Sequence, residues 1–367
     1  MTAAATRAGT AIEGVEAAAY TIPTDAPESD GTLEWDSTTI VVVEVEAGGE
    51  RGLGWTYAPA AAAAFVDELL APAVSGVDPH ATGAAHRRMR ERLRNAGQPG
   101  LGATALSAVD VALWDLKAKL VGLSLASLLG RVHEEVPVYG SGGFCSYPDD
   151  RLAAQLGGWV AEGIPRVKLK VGREPERDVR RVALAREAIG PAAALYVDAN
   201  GAFTSKQALA FAEAFAEEGV TWFEEPVSSN DPDGLRLVRE HAPPGMDVAA
   251  GEYAWAPSDL RALVGAVDCL QADVTRCGGV TGFLQAGAIA EAFELDLSAH
   301  CAPTISAHAL SAVTNARHVE WFHDHVRIER MLFDGFLETE AGAVRPDPER
   351  PGLGVELRRA DVEQYAA

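Results

Sequence analysis

The feature that most constrains the fold is a regular alternation in the second part of the chain. From Val136 onward, short apolar runs typical of buried strands alternate with stretches of helical spacing, such as residues 174–189, 204–219 and 281–294. The apolar runs are VPVYGS, RVKLKV, ALYVDAN, VTWFEEP, DVAAGE, DCLQAD, LDLSAH and HVEWF. Strand and helix repeated in this order predict a parallel sheet covered by helices. Eight strands within roughly 190 residues favour a closed barrel over an open sheet.

The first part of the chain has a different pattern. Residues 37–57 resemble two strands joined at Gly48-Gly49, residues 59–95 are rich in Ala and Arg with helical spacing, and residues 105–130 repeat apolar residues at helical intervals up to a candidate C-cap, Gly130. Antiparallel strands followed by helices predict an α+β unit. The predicted division is an α+β domain over 1–130, a barrel over 131–340, and a C-terminal segment over 341–367 that returns to pack on the first domain.

Charge and composition exclude several classes of partner. The formal net charge of -22, from 31 basic and 53 acidic residues, repels nucleic acid and anionic membrane surfaces. No stretch approaches the length of a membrane-spanning helix, and the N-terminus lacks a continuous apolar segment. The four cysteines lie far apart without a CxxC pair, which argues against a disulfide framework or a zinc ribbon. We therefore expect a cytoplasmic protein with no nucleic-acid or membrane partner.

Ionisable side chains stand at the carboxyl ends of seven successive predicted strands, where the active sites of such barrels form. They are Lys168 with Lys170, Asp198, Glu224, Glu252, Asp273, His300 and Glu320. A single acid at a strand end is often only the N-cap of the next helix. This set, however, combines positively and negatively charged side chains that can pair with one another. Lys168 and Lys170 are one residue apart, so both point to the same face of their strand. Two buried ammonium groups require an anionic partner.

Three acids on consecutive strands predict a metal site. Asp198, Glu224 and Glu252 should converge at one end of the barrel, where their carboxylates repel one another unless a divalent cation lies between them. Oxygen-only ligands favour Mg²⁺ over zinc, and Mg²⁺ keeps positions open for water or substrate oxygens. We predict one Mg²⁺ per subunit. No strand is followed by GxGxxG or GxxxxGK[ST], so dinucleotide and P-loop sites have no support.

The combined motifs resemble the enolase superfamily, specifically its mandelate racemase subgroup. The matching segments are KLK (168–170), VDAN (197–200), FEEP (223–226), GE (251–252), DVTRCGGVTG (273–282), SAH (298–300) and Glu320. The resemblance covers nearly the whole chain. It implies a modified TIM barrel, (β/α)7β, with an α+β capping domain, a small-molecule carboxylate substrate and a homo-oligomer. It also implies that Asp198, Glu224 and Glu252 hold the Mg²⁺.

The resemblance further implies two acid–base groups. Lys170 would be one general base, while Lys168 would contact the substrate carboxylate. His300, oriented by Asp273, would be the other acid or base. A neutral Lys170 is needed for proton abstraction, and we expect the positive charges of Lys168 and Mg²⁺ to lower the pKa of Lys170 toward neutrality. The abstraction creates an enediolate, so the base succeeds only where that charge is stabilised.

The remaining implied roles concern substrate binding. Glu320 would be protonated and donate a hydrogen bond to the substrate carboxylate, a role that requires a dry pocket. Arg276 and Asn200 would line the site, and Glu225 would stand behind the metal ligand Glu224. The segment TIPTDAPESDGTLEWDS (21–37) should form a polar loop over the barrel mouth, with Trp35 against the substrate.

Two bases on two faces of a substrate allow either racemisation or dehydration. The polar segment 21–37 favours a polyhydroxylated acid, and its acids Asp25, Glu28 and Asp30 disfavour a second substrate carboxylate. We therefore predict dehydration of an acid sugar, preferably a mono-acid, to a 2-keto-3-deoxy acid. The alternatives are a racemase or epimerase of a 2-hydroxy acid, a cycloisomerase, and a non-enzymatic binding protein. The pair Asp273 and His300 argues against muconate-type cycloisomerases and dipeptide epimerases, which place a lysine there.

Overall fold

The computed structural model describes residues 10–367, and its first unit is an antiparallel sheet. The sheet has the order β1 (Gly14–Ser29), β2 (Glu34–Ala47) and β3 (Glu50–Tyr57). The predicted hairpin over 37–57 is confirmed, with a turn at Gly48 and Gly49 whose φ angles of 61° and 82° favour glycine. Residues 21–37 differ from the expected loop, because they form the end of β1 and the start of β2. Pro23 is tolerated there since β1 is an edge strand.

Helices pack on this sheet as the sequence predicts. They are α1 (Ala61–Phe65), α2 (Ala71–Val74), α3 (Thr82–Leu93), α4 (Leu101–Val121) and α5 (Leu125–Leu128), with a π-helical turn at Val66–Leu70. Helix α4 approaches β3 so closely that a Cβ at Gly52 or Gly54 would lie within 2.3 Å of an α4 carbonyl oxygen. The long helix ends at Gly122 (φ 70°), eight residues before the predicted C-cap Gly130, which instead follows α5.

The second unit is a closed parallel barrel, as predicted. Its strands are β4 (Val136–Gly142), β5 (Arg166–Lys170), β6 (Ala194–Asp198), β7 (Val220–Glu224), β8 (Asp247–Ala250), β9 (Cys269–Ala272), β10 (Asp296–Ala299) and β11 (Ala316–Phe322). Each strand pairs in parallel with the next, and β11 pairs with β4 to close the ring. The eight apolar runs of the sequence therefore all form strands of one barrel.

Seven helices lie between the eight barrel strands, in agreement with the (β/α)7β prediction. They are α6 (Asp149–Ala161), α7 (Pro175–Ile189), α8 (Ser205–Glu217), α9 (Pro232–His241), α10 (Pro257–Leu263), α11 (Gly279–Ala292) and α12 (Pro303–Leu310). Four of them begin with proline, which fits the first helical position because its missing N–H would have no partner there. Helix α8 begins with a capping box between Thr204 and Gln207. After β11 the chain enters α13 (His323–Leu332).

The barrel interior has an aromatic layer and an ionic layer. Tyr139, Tyr196 and Trp222 pack against one another in the aromatic layer, with ring centroids 5.5–6.5 Å apart. The strand register continues this order toward the carboxyl ends, where Lys170 is paired with Asp198 and Asp198 with Glu224. Every second side chain of a strand points into the barrel. The ionisable groups at the strand ends therefore meet above the packed aromatic layer.

The C-terminal segment contacts both units. It contains β12 (Phe333–Asp334), β13 (Thr339–Glu340), β14 (Ala343–Val344), β15 (Glu356–Leu357), α14 (Arg359–Val362) and a 3₁₀ turn at Glu363–Tyr365. Strand β14 pairs with β4, Ala366 bridges to Tyr20 of β1, and Asp115 of α4 accepts from the backbone N–H of Leu353 at 2.6 Å. The domain boundaries stay a prediction, and residues 1–9 lie outside the described residues. Within residues 10–367, no helix has both the length and the apolarity needed to cross a bilayer.

Candidate active site

A cavity of about 480 Å³ lies between the carboxyl ends of the barrel strands and the first sheet. Its barrel side includes Lys170, Asn200, Glu252, Arg276 and His300, and its other wall includes Asp30, Trp35, Ser37, Thr38 and Thr39. The predicted site residues therefore meet from two separate parts of the sequence. Trp35, Asn200 and Arg276 lie at the cavity wall, whereas Lys168 and Glu320 are completely buried beneath it.

The three acids predicted to bind metal converge. One carboxylate oxygen each from Asp198, Glu224 and Glu252 lies within 4.8 Å of the others, and all three side chains are buried. Within the described part of the chain, Oε1 of Glu224 has no hydrogen-bond partner. A buried carboxylate oxygen without a partner is unfavourable, and a cation between oxygen ligands would satisfy it. The donor set therefore fits Mg²⁺.

The two lysines face these carboxylates, which supply the anionic partner that the sequence required. Lys168 Nζ lies 2.7 Å from Glu224 Oε2, 2.8 Å from Glu320 Oε1 and 3.4 Å from Asp198 Oδ2. Burial lowers the pKa of Lys168, but these three carboxylates outweigh it and hold the pKa well above its ordinary value. Lys168 therefore carries a positive charge inside the carboxylate cluster.

The ammonium of Lys170 lies 2.5 Å from Asp198 Oδ2 and reaches the cavity. Burial lowers the pKa of Lys170, and the charge of Lys168 lowers it too, which agrees in sign with the sequence-based expectation. The carboxylate of Asp198 outweighs both, so the pKa lies above its ordinary value. Lys170 becomes a base only when this carboxylate charge is compensated.

His300 is held by a carboxylate on the neighbouring strand, as the sequence indicates. Its Nδ1 lies 2.8 Å from Asp273 Oδ2, and its Nε2 lies 3.0 Å from Glu252 Oε2. Burial lowers the pKa of His300, but the surrounding acids outweigh it and raise the pKa well above its ordinary value. Asp273 itself is fixed by Arg276 Nε at 3.2 Å. The structure thus presents an imidazole with a defined orientation at the cavity, in surroundings that favour its protonated form.

Glu320 differs from the expected neutral acid. Its pocket is dry, and burial raises the pKa of its carboxyl, but Lys168 and His300 outweigh this effect and lower the pKa below its ordinary value. Ser141 donates a hydrogen bond of 2.6 Å to Glu320 Oε1. These contacts favour the ionised form of Glu320 as a hydrogen-bond acceptor. Burial alone would favour the neutral acid, and the ammonium of Lys168 beside Glu320 reverses that preference.

Several residues of the site were not predicted from the sequence. Ser141 stands near the end of β4, the one barrel strand to which no site residue was assigned, so the strand-end argument could have found it. Thr38 and Tyr57 add hydroxyl groups from the first sheet, and His325 stacks on Tyr57 with ring centroids 3.3 Å apart. No local pattern marks these last residues, because the placement of the sheet over the barrel is a long-range contact.

Of the five acids in segment 21–37, only Asp30 lines the cavity. Its Oδ1 accepts from the N–H groups of Thr32 and Leu33 and so fixes the turn between β1 and β2. Asp25 pairs with Arg151 at 2.8 Å. Glu28 is fully buried and accepts from Trp35 Nε1 at 2.9 Å. Glu28 therefore supports Trp35 from behind.

Glu28 makes the stability of this hairpin depend on pH. Burial, with the nearby carboxylate of Asp324, raises the pKa of Glu28 from 4.5 to about 8. The folded protein thus keeps a proton that the unfolded chain loses, so the free energy of unfolding should fall as pH rises from about 4.5 to about 8. Each pK unit corresponds to about 1.4 kcal/mol. Glu28→Gln should remove this loss, so the variant should gain stability relative to the wild type as pH rises.

Urea unfolding at pH 5 and pH 8 measures the effect. Glu16→Gln is the matched control, because Glu16 is exposed on the same strand and its substitution removes the same charge. Parallel pH profiles for the wild type and Glu28→Gln would contradict the prediction.

Comparison with protein families gives two matches that together span most of the chain. Residues 23–130 match the family described as Mandelate racemase / muconate lactonizing enzyme, N-terminal domain. Residues 151–362 match the family described as Enolase C-terminal domain-like. The two matches fall on the first sheet with its helices and on the barrel.

Curated relatives align over nearly their full length. The chain is 34% identical to 3,6-anhydro-alpha-L-galactonate cycloisomerase of Streptomyces coelicolor, over 94% of this chain and 97% of the relative. It is 32% identical to D-galactarolactone cycloisomerase of Agrobacterium fabrum, over 93% of this chain and 95% of the relative. It is 29% identical to L-talarate/galactarate dehydratase of Salmonella typhimurium, over 97% and 91%. These relatives act on sugar acids or their cyclic derivatives, as their names state.

Solved structures show the same fold. A mandelate racemase/muconate lactonizing enzyme-like protein from Rubrobacter xylanophilus is 58% identical, with a TM-score of 0.96 over 97% of this chain and 100% of that one. A racemase from Streptomyces coelicolor with bound magnesium is 32% identical, with a TM-score of 0.91 over 97% and 100%.

Proposed function

Since the chain belongs to the mandelate racemase / muconate lactonizing enzyme family of the enolase superfamily, whose members use Mg²⁺, we propose that it dehydrates an acid sugar to a 2-keto-3-deoxy acid. One observation carries the proposal. Lys170 and His300, from the non-adjacent strands β5 and β10, line one cavity above the carboxylate cluster. A substrate in this cavity meets a base and an acid from two sides.

We assign the metal to Asp198, Glu224 and Glu252. When bound, Mg²⁺ supplies positive charge that stabilises the two negative charges of the enediolate. A cation on Asp198 also compensates the carboxylate charge that raises the pKa of Lys170. Lys170 would then be neutral often enough to accept the proton alpha to the substrate carboxylate.

His300 supplies the other proton. Asp273, which is not among the assigned metal ligands, helps to raise the pKa of the imidazole and so favours its protonated form, and its contact with Nδ1 leaves Nε2 as the donor toward the cavity. As the enediolate collapses, the bond from the β-carbon to its hydroxyl oxygen breaks, and the proton from Nε2 makes the leaving group water. The enol product then tautomerises to the 2-keto-3-deoxy acid.

The cavity wall favours a mono-acid sugar. The first sheet contributes the hydroxyls of Ser37, Thr38 and Thr39 together with the carboxylate of Asp30. Burial lowers the pKa of His325 to about 3, so this histidine is neutral. Hydroxyl groups and a neutral imidazole suit a polyhydroxylated chain. A second substrate carboxylate would face the carboxylate of Asp30, and among residues 10–367 that wall offers no cation to compensate the repulsion.

A second candidate is ring opening of a cyclic sugar acid. The relatives at 34% and 32% identity are both named cycloisomerases of such compounds. The same proton abstraction by Lys170 and protonation by His300 would serve, with a ring oxygen in place of the hydroxyl as leaving group. This differs from the muconate-type reaction, against which the pair Asp273 and His300 argues.

A substrate panel with Mg²⁺ separates the candidates. We expect an aldonate to give a 2-keto-3-deoxy acid, detected by NMR, with faster turnover than the matching aldarate. Turnover of lactones or anhydro acids alone would favour the second candidate. Racemisation of a 2-hydroxy acid without elimination would contradict both. The expected homo-oligomer and cytoplasmic location stay predictions.

A further inference from the structure

A second group of metal-ligand atoms lies beside the carboxylate cluster, and it has a different composition. His300 Nε2 lies 3.3 Å from Cys301 Sγ, Cys301 Sγ lies 3.4 Å from Glu320 Oε2, and His300 Nε2 lies 3.4 Å from Glu320 Oε2. The three side chains are at most 5% exposed. Nitrogen, sulfur and oxygen donors thus form a nearly equilateral triangle in the barrel.

The dimensions of this triangle match zinc. Bonds of about 2.0–2.1 Å to nitrogen and oxygen and about 2.3 Å to sulfur, at tetrahedral angles, separate the ligand atoms by about 3.3–3.6 Å. The three observed distances lie at the lower end of that range. Mg²⁺ by contrast selects oxygen ligands in an octahedron, so a thiol and an imidazole are poor partners for it.

The backbone holds the thiol next to the imidazole. In a regular strand, side chains of consecutive residues point to opposite faces, but Cys301 and Ala302 have φ angles of 50° and 42°. Ser306 fixes this turn by donating to the carbonyl of Cys301 at 2.7 Å. His300 and Cys301 both line the cavity, which provides an entry path and room for water as a fourth ligand.

We propose that His300, Cys301 and Glu320 form a second metal site, which takes a thiophilic divalent cation such as Zn²⁺ and thereby inhibits the enzyme. Inhibition rests on the proposed function, because zinc on Nε2 of His300 displaces the proton that the leaving group needs. That proton and the proton of the Cys301 thiol both pass to the buffer when the metal binds. The site adjoins the proposed Mg²⁺ site, with His300 Nε2 3.0 Å from Glu252 Oε2, but it shares no ligand with it, so Mg²⁺ does not occupy its ligands and inhibition should persist at saturating Mg²⁺.

Cobalt(II) tests the site without reference to activity, since it takes the same ligands and geometry as zinc and absorbs strongly when bound to thiolate. We expect one equivalent of Co²⁺, added to Mg²⁺-saturated protein, to produce a thiolate-to-cobalt band that Zn²⁺ abolishes by displacement. Among residues 10–367, no other cysteine belongs to a group of three potential ligands, so the band reports Cys301. A wild-type protein without this band would overturn the proposal.

Variants locate the site. Cys301→Ser and Cys301→Ala should both lose the cobalt band. The Zn²⁺ concentration that halves each variant's own uninhibited rate should rise by at least about tenfold over the wild-type value. Cys145→Ser is the matched control, because Cys145 lies outside the group, and it should keep both properties. Unchanged zinc inhibition in both Cys301 variants would show that zinc acts at the carboxylate cluster instead.

Discussion

Replacing Lys170 by alanine should lower turnover by at least about 10²–10⁴-fold, because the variant lacks the group that accepts the alpha proton. His300→Asn should cause a loss of similar size at the protonation step. The two variants should differ in hydrogen exchange, since each retains one of the two groups. NMR of deuterium uptake at the alpha carbon, for substrates of both configurations, measures this difference. Lys170→Ala should keep the deuterium uptake that His300 catalyses for one configuration of the alpha carbon. His300→Asn should keep the uptake that Lys170 catalyses for the other configuration.

One further variant serves as a control for the assignment of roles. Asp273→Asn leaves His300 in place but removes the carboxylate 2.8 Å from its Nδ1. Because Asp273 contributes to the raised pKa of His300, the limb of the pH–rate profile that reports His300 should move to lower pH. Mg²⁺ affinity, measured by calorimetry, should remain close to that of the wild type. If Lys170→Ala and His300→Asn both turn over substrate at wild-type rates, the proposed mechanism is wrong.

The convergence of the site residues was predictable from the sequence, because in a parallel barrel the carboxyl ends of successive strands lie next to one another. Asp198 and Glu224 each end a predicted strand, and parallel pairing of those strands places them side by side. Alternation along β5 likewise places Lys168 and Lys170 on one face. Both placements follow from the strand period and the order of the strands alone, and the apolar runs of the sequence contain both.

The charge states could not be predicted in the same way. Whether Glu320 is ionised depends on the 2.8 Å contact with Lys168, which side-chain packing sets and the strand period does not. The triangle of His300, Cys301 and Glu320 depends on the left-handed backbone at Cys301, a conformation with no marker in the sequence. Segment 21–37 contains prolines and turn-forming residues, yet only residues 30–33 connect the strands, and the residues on both sides belong to β1 and β2, which pair with an irregularity between Pro23 and Glu28. Tertiary contacts thus override local preference.

Replacing Glu224 by glutamine should abolish Mg²⁺-dependent activity and weaken Mg²⁺ binding by more than about 100-fold, since even residues behind a metal ligand contribute about 10–100-fold. The neutral amide removes one of three charges that attract the cation. It also leaves Lys168, 2.7 Å from Glu224 Oε2, without that counter-ion. Calorimetric titration with Mg²⁺ measures the binding, and EDTA followed by Mg²⁺ should abolish and restore wild-type activity.

Glu225→Gln is the matched control for the same motif. Glu225 is adjacent and equally buried, but it is not among the three converging carboxylates, and a left-handed backbone (φ 36°) turns the chain at this point. Burial and the charge of Glu252 raise the pKa of Glu225 well above its ordinary value, which favours the neutral carboxyl, a group that an amide matches in shape. Glu225→Gln should therefore retain Mg²⁺ binding. Loss of binding in Glu225→Gln with retention in Glu224→Gln would reverse the assignment within the FEEP motif, and retention in both would place the metal elsewhere.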